Sequence, residues 1–198
     1  MFESKAEVSE EIKIGRWGGE LWEIIKVLLV SVAIVLPIRY FIAQPFIVRG
    51  ASMEPNFENS EYLVIDEVSY YFRGPQRGEA IVFRYPRDPR QFFIKRVVGL
   101  PGEEIKIQEG RIRVYNPSYP EGFTLVEPYL DPPQRATNPD VSAKLGEGEF
   151  FVLGDNRDFS SDSRIWGSLP KNLVVGRVFF RVWPFAKLGM APNYSVEY

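Results

Sequence analysis

Only one long run of this chain is free of charge, the twelve residues Val27 to Ile38; from Phe46 onward the apolar residues come in short pieces cut by glycine, proline or charge. That pattern confines the fold to one apolar helix followed by a body of short strands. Sixteen glycines and sixteen prolines, spread among fifteen phenylalanines and ten tyrosines, favour strands joined by turns over a helical bundle. A chain of 198 residues is long enough for one domain with a substantial core and an appendage. The expected fold class is therefore mainly β, an antiparallel β domain carrying one N-terminal transmembrane helix.

As a helix the uncharged run rises about 18 Å, short of the roughly 30 Å of a bilayer's hydrocarbon core. Lys26 and Arg39 sit at its ends, however, where long basic side chains snorkel to the interface, and this extends the usable span from Trp22 to Phe41. Trp17, Trp22 and Tyr40 are placed like an aromatic belt. Phe41-Ile42-Ala43 puts a large ring two positions before the alanine, unlike the small residues that precede a signal-peptide cleavage point. The expected organisation is a polar tail over 1–20, an anchor helix over 21–42 and a β-rich domain over 43–198. Membrane lipid is then the first expected partner.

The strand expectations fall on Glu61–Ile65, Ala80–Phe83, Phe92–Val98, a hairpin over Ile105–Val114 turning at Glu109-Gly110, Phe150–Leu153 and Val174–Val182. Residues 116–147, rich in Pro, Asn and Glu, read as an insertion that decorates a sheet without building one. The 24 basic and 26 acidic residues form no basic block, so the chain has no electrostatic footprint for a nucleic acid.

The chain contains neither histidine nor cysteine. That removes Ser-His-Asp and Cys-His catalysis and the His- or Cys-based zinc sites, so no metal or other cofactor is expected. A covalent hydrolase built from these residues must activate a hydroxyl with a lysine or a carboxylate. Arg49-Gly-Ala-Ser-Met-Glu-Pro55 sets Ser52 between small neighbours shortly before a proline, the candidate nucleophile. In Gln91-Phe-Phe-Ile-Lys-Arg-Val-Val98, alternation puts Phe93, Lys95 and Val97 on one strand face and Arg96 on the other. An ammonium on an apolar face is desolvated and its pKa falls, as a lysine base requires. The third cluster, Gly154-Asp-Asn-Arg-Asp-Phe-Ser-Ser-Asp-Ser-Arg164, lacks the glycine and terminal glutamate of an EF-hand, and its arginines supply counter-charges for its aspartates. Ser168-Leu-Pro-Lys171 spells a Ser-x-x-Lys pattern, but Pro170 breaks the helix that pattern needs.

Ser52-Met53 followed by Pro55, Arg77-Gly78 before Ala80-Ile-Val-Phe83, Lys95-Arg96 leading to Gly99-Leu-Pro-Gly102, and Gly154-Asp-Asn-Arg-Asp with Asp162-Ser-Arg164 resemble type I signal peptidases in order and spacing. The resemblance covers roughly Phe41 to Trp183. It implies a membrane-bound serine endopeptidase with a signal peptidase-like β fold, single-pass in the cell membrane with its catalytic domain on the extracytoplasmic side. Its partners would be the signal peptides of exported preproteins, cut after Ala-x-Ala. It further implies Ser52 as nucleophile, Lys95 as general base and Ser160 as the hydroxyl that orients the lysine. Phe46, Val48, Met53, Phe93 and Ile94 match positions lining two shallow pockets for small residues. Gly154, Asp155, Arg157, Asp162 and Arg164 match supports of the catalytic turn. The backbone N–H of Ser52 would form part of an oxyanion hole; in some family members a hydroxyl two positions earlier is the second donor, and this chain has Gly50 there. The alternative from a different class is a membrane-tethered β domain that binds exported peptides without cutting them.

Overall fold

The computed structural model describes residues 21–35, 44–131 and 136–194. The chain divides into two units, 1–42 and 43–198.

In the first unit, α1 spans 21–35. Its apolar side chains are exposed along its whole length, with Leu28 at 62% and Leu29 at 59%. Among the described residues no helix is long and apolar enough to cross a membrane. The expected tail over 1–20 and the last part of the expected anchor, 36–42, lie outside the described residues.

The second unit is built on two antiparallel sheets. The larger comprises β1 (Gln44–Ile47), β2 (Tyr62–Asp66), β3 (Ala80–Tyr85), β4 (Asp88–Gly99), β9 (Glu149–Leu153), β10 (Leu169–Pro170), β11 (Val174–Trp183) and β12 (Gly189–Met190). Its order is β1-β2-β11-β3-β4-β9-β10, with β12 added on β11. The smaller has the order β7-β6-β5-β8, from β5 (Glu104–Gln108), β6 (Arg111–Asn116), β7 (Tyr119–Thr124) and β8 (Val141–Lys144). Two four-residue helices, α2 (Ser69–Phe72) and α3 (Ser163–Trp166), fill connections.

Every strand expected from the sequence is present: β2, β5 and β6 show period-2 burial, with Leu63 and Ile65, Ile105 and Ile107, and Ile112 and Val114 buried between exposed or half-buried neighbours, whereas β3, β9 and the second half of β4 are buried as continuous runs inside the sheet. The insertion is a correction. Within 116–147, β7 pairs with β6 and β8 pairs with β5, so this segment supplies both outer strands of the small sheet. The tail beyond Trp183 also contributes a strand, since Met190 pairs with Phe180 on β11.

Three apolar clusters hold the unit together. Met53, Phe57, Leu63, Ile65, Val82 and Val178 pack beneath β1 to β3 and β11. Ile105, Ile107, Ile112, Val114, Phe151 and Leu153 join the small sheet to β4 and β9. Ile81, Phe83, Val97, Phe150 and Val152 form the third, with Phe93 and Trp166 packed against them. Burial of side chains this size contributes about 1.5–3 kcal/mol each, which fixes the strands that carry the candidate residues.

β4 is paired unevenly along its two edges. Its first half pairs with β3 through Ile81↔Lys95, Val82↔Ile94 and Phe83↔Phe93, but its partner on the other edge, β9, begins only at Arg96↔Leu153. The edge of β4 before Arg96 is therefore unpaired on one side. β1 is the end strand of the same sheet and bonds only to β2.

Candidate active site

The edge left open on β4 and the end strand β1 frame a cleft of about 770 Å³, lined by Pro45 to Ser52 on one side and Arg90 to Lys95 on the other. The rings of Phe46 and Phe92 meet at 5.4 Å, edge to face. Phe46, Val48, Phe93 and Ile94 all line it. Met53, expected among them, does not: it is 1% exposed and belongs to the core with Leu63 and Ile65. Its long flexible side chain fills space under the loop that carries Ser52.

That loop is fastened at several points. Val48 donates its N–H to Glu61 O, and Ser60 donates back to Val48 O, both at 2.9 Å. Gly50 N–H donates to Asn59 Oδ1 at 2.9 Å. Gly50 has φ +90°, a conformation disfavoured for any residue with a Cβ, so the backbone itself accounts for the missing side-chain donor at this position.

Lys95 reaches across from β4. Its Nζ donates to Ser52 Oγ at 2.7 Å and to Ile94 O at 2.8 Å, and it lies 5.4 Å from the centre of the Phe93 ring. The side chain is 4% exposed. Burial disfavours its charged form and outweighs the opposing influence of Asp162 and Asp155, so the ammonium is pushed down from 10.5 to about 8.

The turn after β9 closes the site from behind. Asn156 donates its N–H to Ser52 O at 3.1 Å and its side-chain amide to Ala51 O at 3.0 Å. A Cβ on Gly154 would stand 2.2 Å from Ser160 Oγ and 2.4 Å from Ser52 O, so only glycine lets the turn approach so closely. Ser160 Oγ is buried there without a hydrogen-bond partner among the described residues; its expected contact with Lys95 is not formed.

The supports behind this turn are ionic and deeply buried. Asp162 caps α3, accepts from Gly154 N–H at 3.1 Å, and holds Arg164 through both oxygens. The other two pairings differ from the expected ones within the turn. Asp155 is bound by Arg96 from β4 and by Asn56. Arg157 pairs with Glu127, whose carboxylate also accepts from Tyr129 Oη at 2.6 Å. Glu127, Tyr129 and Thr137, a further partner of Arg157, all come from the insertion. Sequence reasoning missed these three and Arg96, because nothing local marks a partner 30 residues away. The insertion holds several acids and aromatics, and nothing local singles out Glu127 or Tyr129 among them. Among the described residues no group of three or more acidic side chains converges as a metal site.

A hydroxyl held by a buried amine of low basicity, at the end of an apolar cleft with two open strand edges, is equipped to attack the backbone carbonyl of an extended peptide. Comparison with known proteins gives the family. The family model described as "Signal peptidase, peptidase S26" matches residues 21–183. A "Probable signal peptidase I-1" of Synechocystis sp. is 35% identical over 185 residues, 88% of this chain and 90% of that one. The "Signal peptidase I" of Leptolyngbya laminosa is 37% identical, over 88% of this chain and 87% of its own. "Signal peptidase IB" of Staphylococcus aureus is 29% identical, over 85% of this chain and 92% of its own. A crystal structure of a signal peptidase I from Enterococcus faecalis, 30% identical, aligns with 54% of this chain and 97% of its own at a TM-score of 0.46.

Proposed function

We propose, for a chain that belongs to the peptidase S26 signal peptidases and removes signal peptides from preproteins as a serine peptidase, that Ser52 is the nucleophile and Lys95 its general base. One observation carries this reading: the 2.7 Å contact between Lys95 Nζ and Ser52 Oγ, with the lysine buried and its basicity lowered.

Neutral Lys95 would take the Ser52 proton as Oγ adds to the carbonyl carbon of the residue before the cut. The resulting oxyanion lies near the Ser52 N–H, which donates to no described group. The lysine then returns its proton to the departing amine of the mature protein. Water, deprotonated by the same lysine, releases the signal peptide and regenerates Ser52.

The substrate would enter extended. Both β1 and the first half of β4 offer unpaired backbone groups to a strand laid between them, which supplies affinity without reading side chains. Phe46, Val48, Phe93 and Ile94 then leave room only for small residues beside the cut, so an Ala-x-Ala pattern is selected by overlap. The domain over 43–198 would work on the extracytoplasmic side, tethered by 21–42; a helix exposing leucine and valine all round suits lipid. Ser160 would orient Lys95 once a substrate occupies Ser52. A non-cutting binding domain offers no reason to bury an ammonium against a serine hydroxyl.

The test is cleavage of a preprotein, in detergent or lipid, by wild type, Ser52→Ala and Lys95→Ala, each first checked for its fold. Both variants should cut at background. Normal cutting by folded Lys95→Ala would place the base elsewhere.

A further inference from the structure

Three charged side chains line the cleft, Arg49, Arg90 and Lys95, and all three are basic. They are not equivalent. Lys95 is buried against Ser52, and Arg90 is held at the rim by both oxygens of Asp88, at 2.8 and 3.1 Å. Arg49 is exposed and forms no ion pair or hydrogen bond with any described residue. It stands three positions before Ser52, on the loop that leads from the pocket wall at Val48 to the nucleophile.

We propose that Arg49 is a specificity residue, whose guanidinium pairs with a carboxylate of the bound preprotein within a few positions of the cut. The chain bends at Gly50 and Ala51, so Arg49 lies within the roughly 10 Å that three residues can span from Ser52, and the arginine arm adds several more, which brings its head within reach of a side chain flanking the Ala-x-Ala segment. A planar, always-charged donor fork suits an aspartate or glutamate in that position. A lysine or arginine there meets a wall with no acidic side chain to receive it. The inference rests on the cleft being the substrate site.

The experiment uses three preproteins identical except for one residue next to the Ala-x-Ala segment, aspartate, glutamine or lysine, placed in turn on either side of it. Cleavage is followed in neutral detergent, so that no anionic lipid competes. Wild type should cut the aspartate form with a kcat/KM about two- to fivefold above the lysine form at one of the positions, and the ratio should shrink at high salt. Arg49→Gln should bring the ratio near one, and Arg49→Lys should restore part of it. No preference in wild type, or the same preference in Arg49→Gln, overturns the proposal. Ser52→Ala, run alongside, separates the two failures: if it still cuts, the cleft reading itself is wrong.

Discussion

Arg96 and Asp155 form a fully buried, two-pronged ion pair, with Nε to Oδ1 at 2.8 Å and Nη2 to Oδ2 at 2.5 Å. Each is the next residue to a part of the candidate site: Arg96 follows Lys95 on β4, and Asp155 follows Gly154 on the turn after β9. The Arg96 guanidinium also donates to Gly78 O and Pro192 O and lies 4.4 Å from the centre of the Tyr129 ring. One side chain thus ties β4, the turn, the insertion and the C-terminal segment together.

Removing either partner leaves a buried charge unmatched. Asp155→Ala and Arg96→Ala should each lower stability by about 3–5 kcal/mol, measured by denaturant unfolding of detergent-solubilised protein. The double variant should lose less than the sum. Strict additivity would show that the two do not act as a pair.

The rate of cleavage should rise with pH. In the proposed mechanism only the neutral amine of Lys95 accepts the serine proton, and its pKa is lowered to about 8, so kcat/KM should climb about tenfold per unit below pH 8 and level off above it. A profile already flat at pH 6 would mean that the lysine is not the base. For folding the sign is the same: this proton leaves the folded chain near 8 but the unfolded chain near 10.5, so this residue's contribution to stability increases across that interval and is absent in Lys95→Met.

Ser160→Ala separates positioning from packing. The hydroxyl has no hydrogen-bond partner among the described residues, so its removal should leave the unfolding midpoint unchanged or raise it slightly. If it orients Lys95 during the reaction, kcat should fall by about tenfold or more, with KM little altered and the pH profile displaced. Unchanged kcat with an unchanged pH profile would remove Ser160 from the mechanism.

Gly154→Ala should be damaging out of proportion to its size. The added methyl would press on Ser160 Oγ and on the backbone oxygen of Ser52, and the latter cannot move without displacing the Ser52 hydroxyl. Loss of about 1–3 kcal/mol of stability, with cleavage near background even in the folded fraction, is expected. Full activity would show that the turn can retreat from Ser52.

The parts of this molecule that were legible in the sequence are those where neighbouring residues speak for each other. The strands of the large sheet announce themselves as short apolar or alternating runs bounded by glycine, proline or charge, and the hairpin from Ile105 to Val114 by its glycine turn. Ser52 and Lys95 could be paired as chemistry because the chain has no histidine or cysteine to compete for the role. β7 and β8 could not be read the same way. Tyr119–Thr124 contains a proline and a glycine, and Val141–Lys144 has only four residues; both are strands because the edges of β5 and β6 lie waiting for them. The partners of the buried arginines were hidden for a similar reason, since Arg157 is answered by Glu127 and not by the aspartates of its own turn. Met53 sits next to Ser52 in sequence yet turns into the core, a direction that adjacency cannot reveal.

The gap between β1 and the first half of β4 also bears on timing. A groove that must be completed by a strand admits only chain that has not yet committed its backbone hydrogen bonds elsewhere. A preprotein whose cleavage region has already coiled, or has been drawn into its own folding domain, has nothing to lend to that groove, whatever residues it displays. With the substrate laid there as proposed, the peptidase would inspect conformation as well as sequence, and the interval between emergence of the cleavage region and its folding would become the window in which maturation takes place.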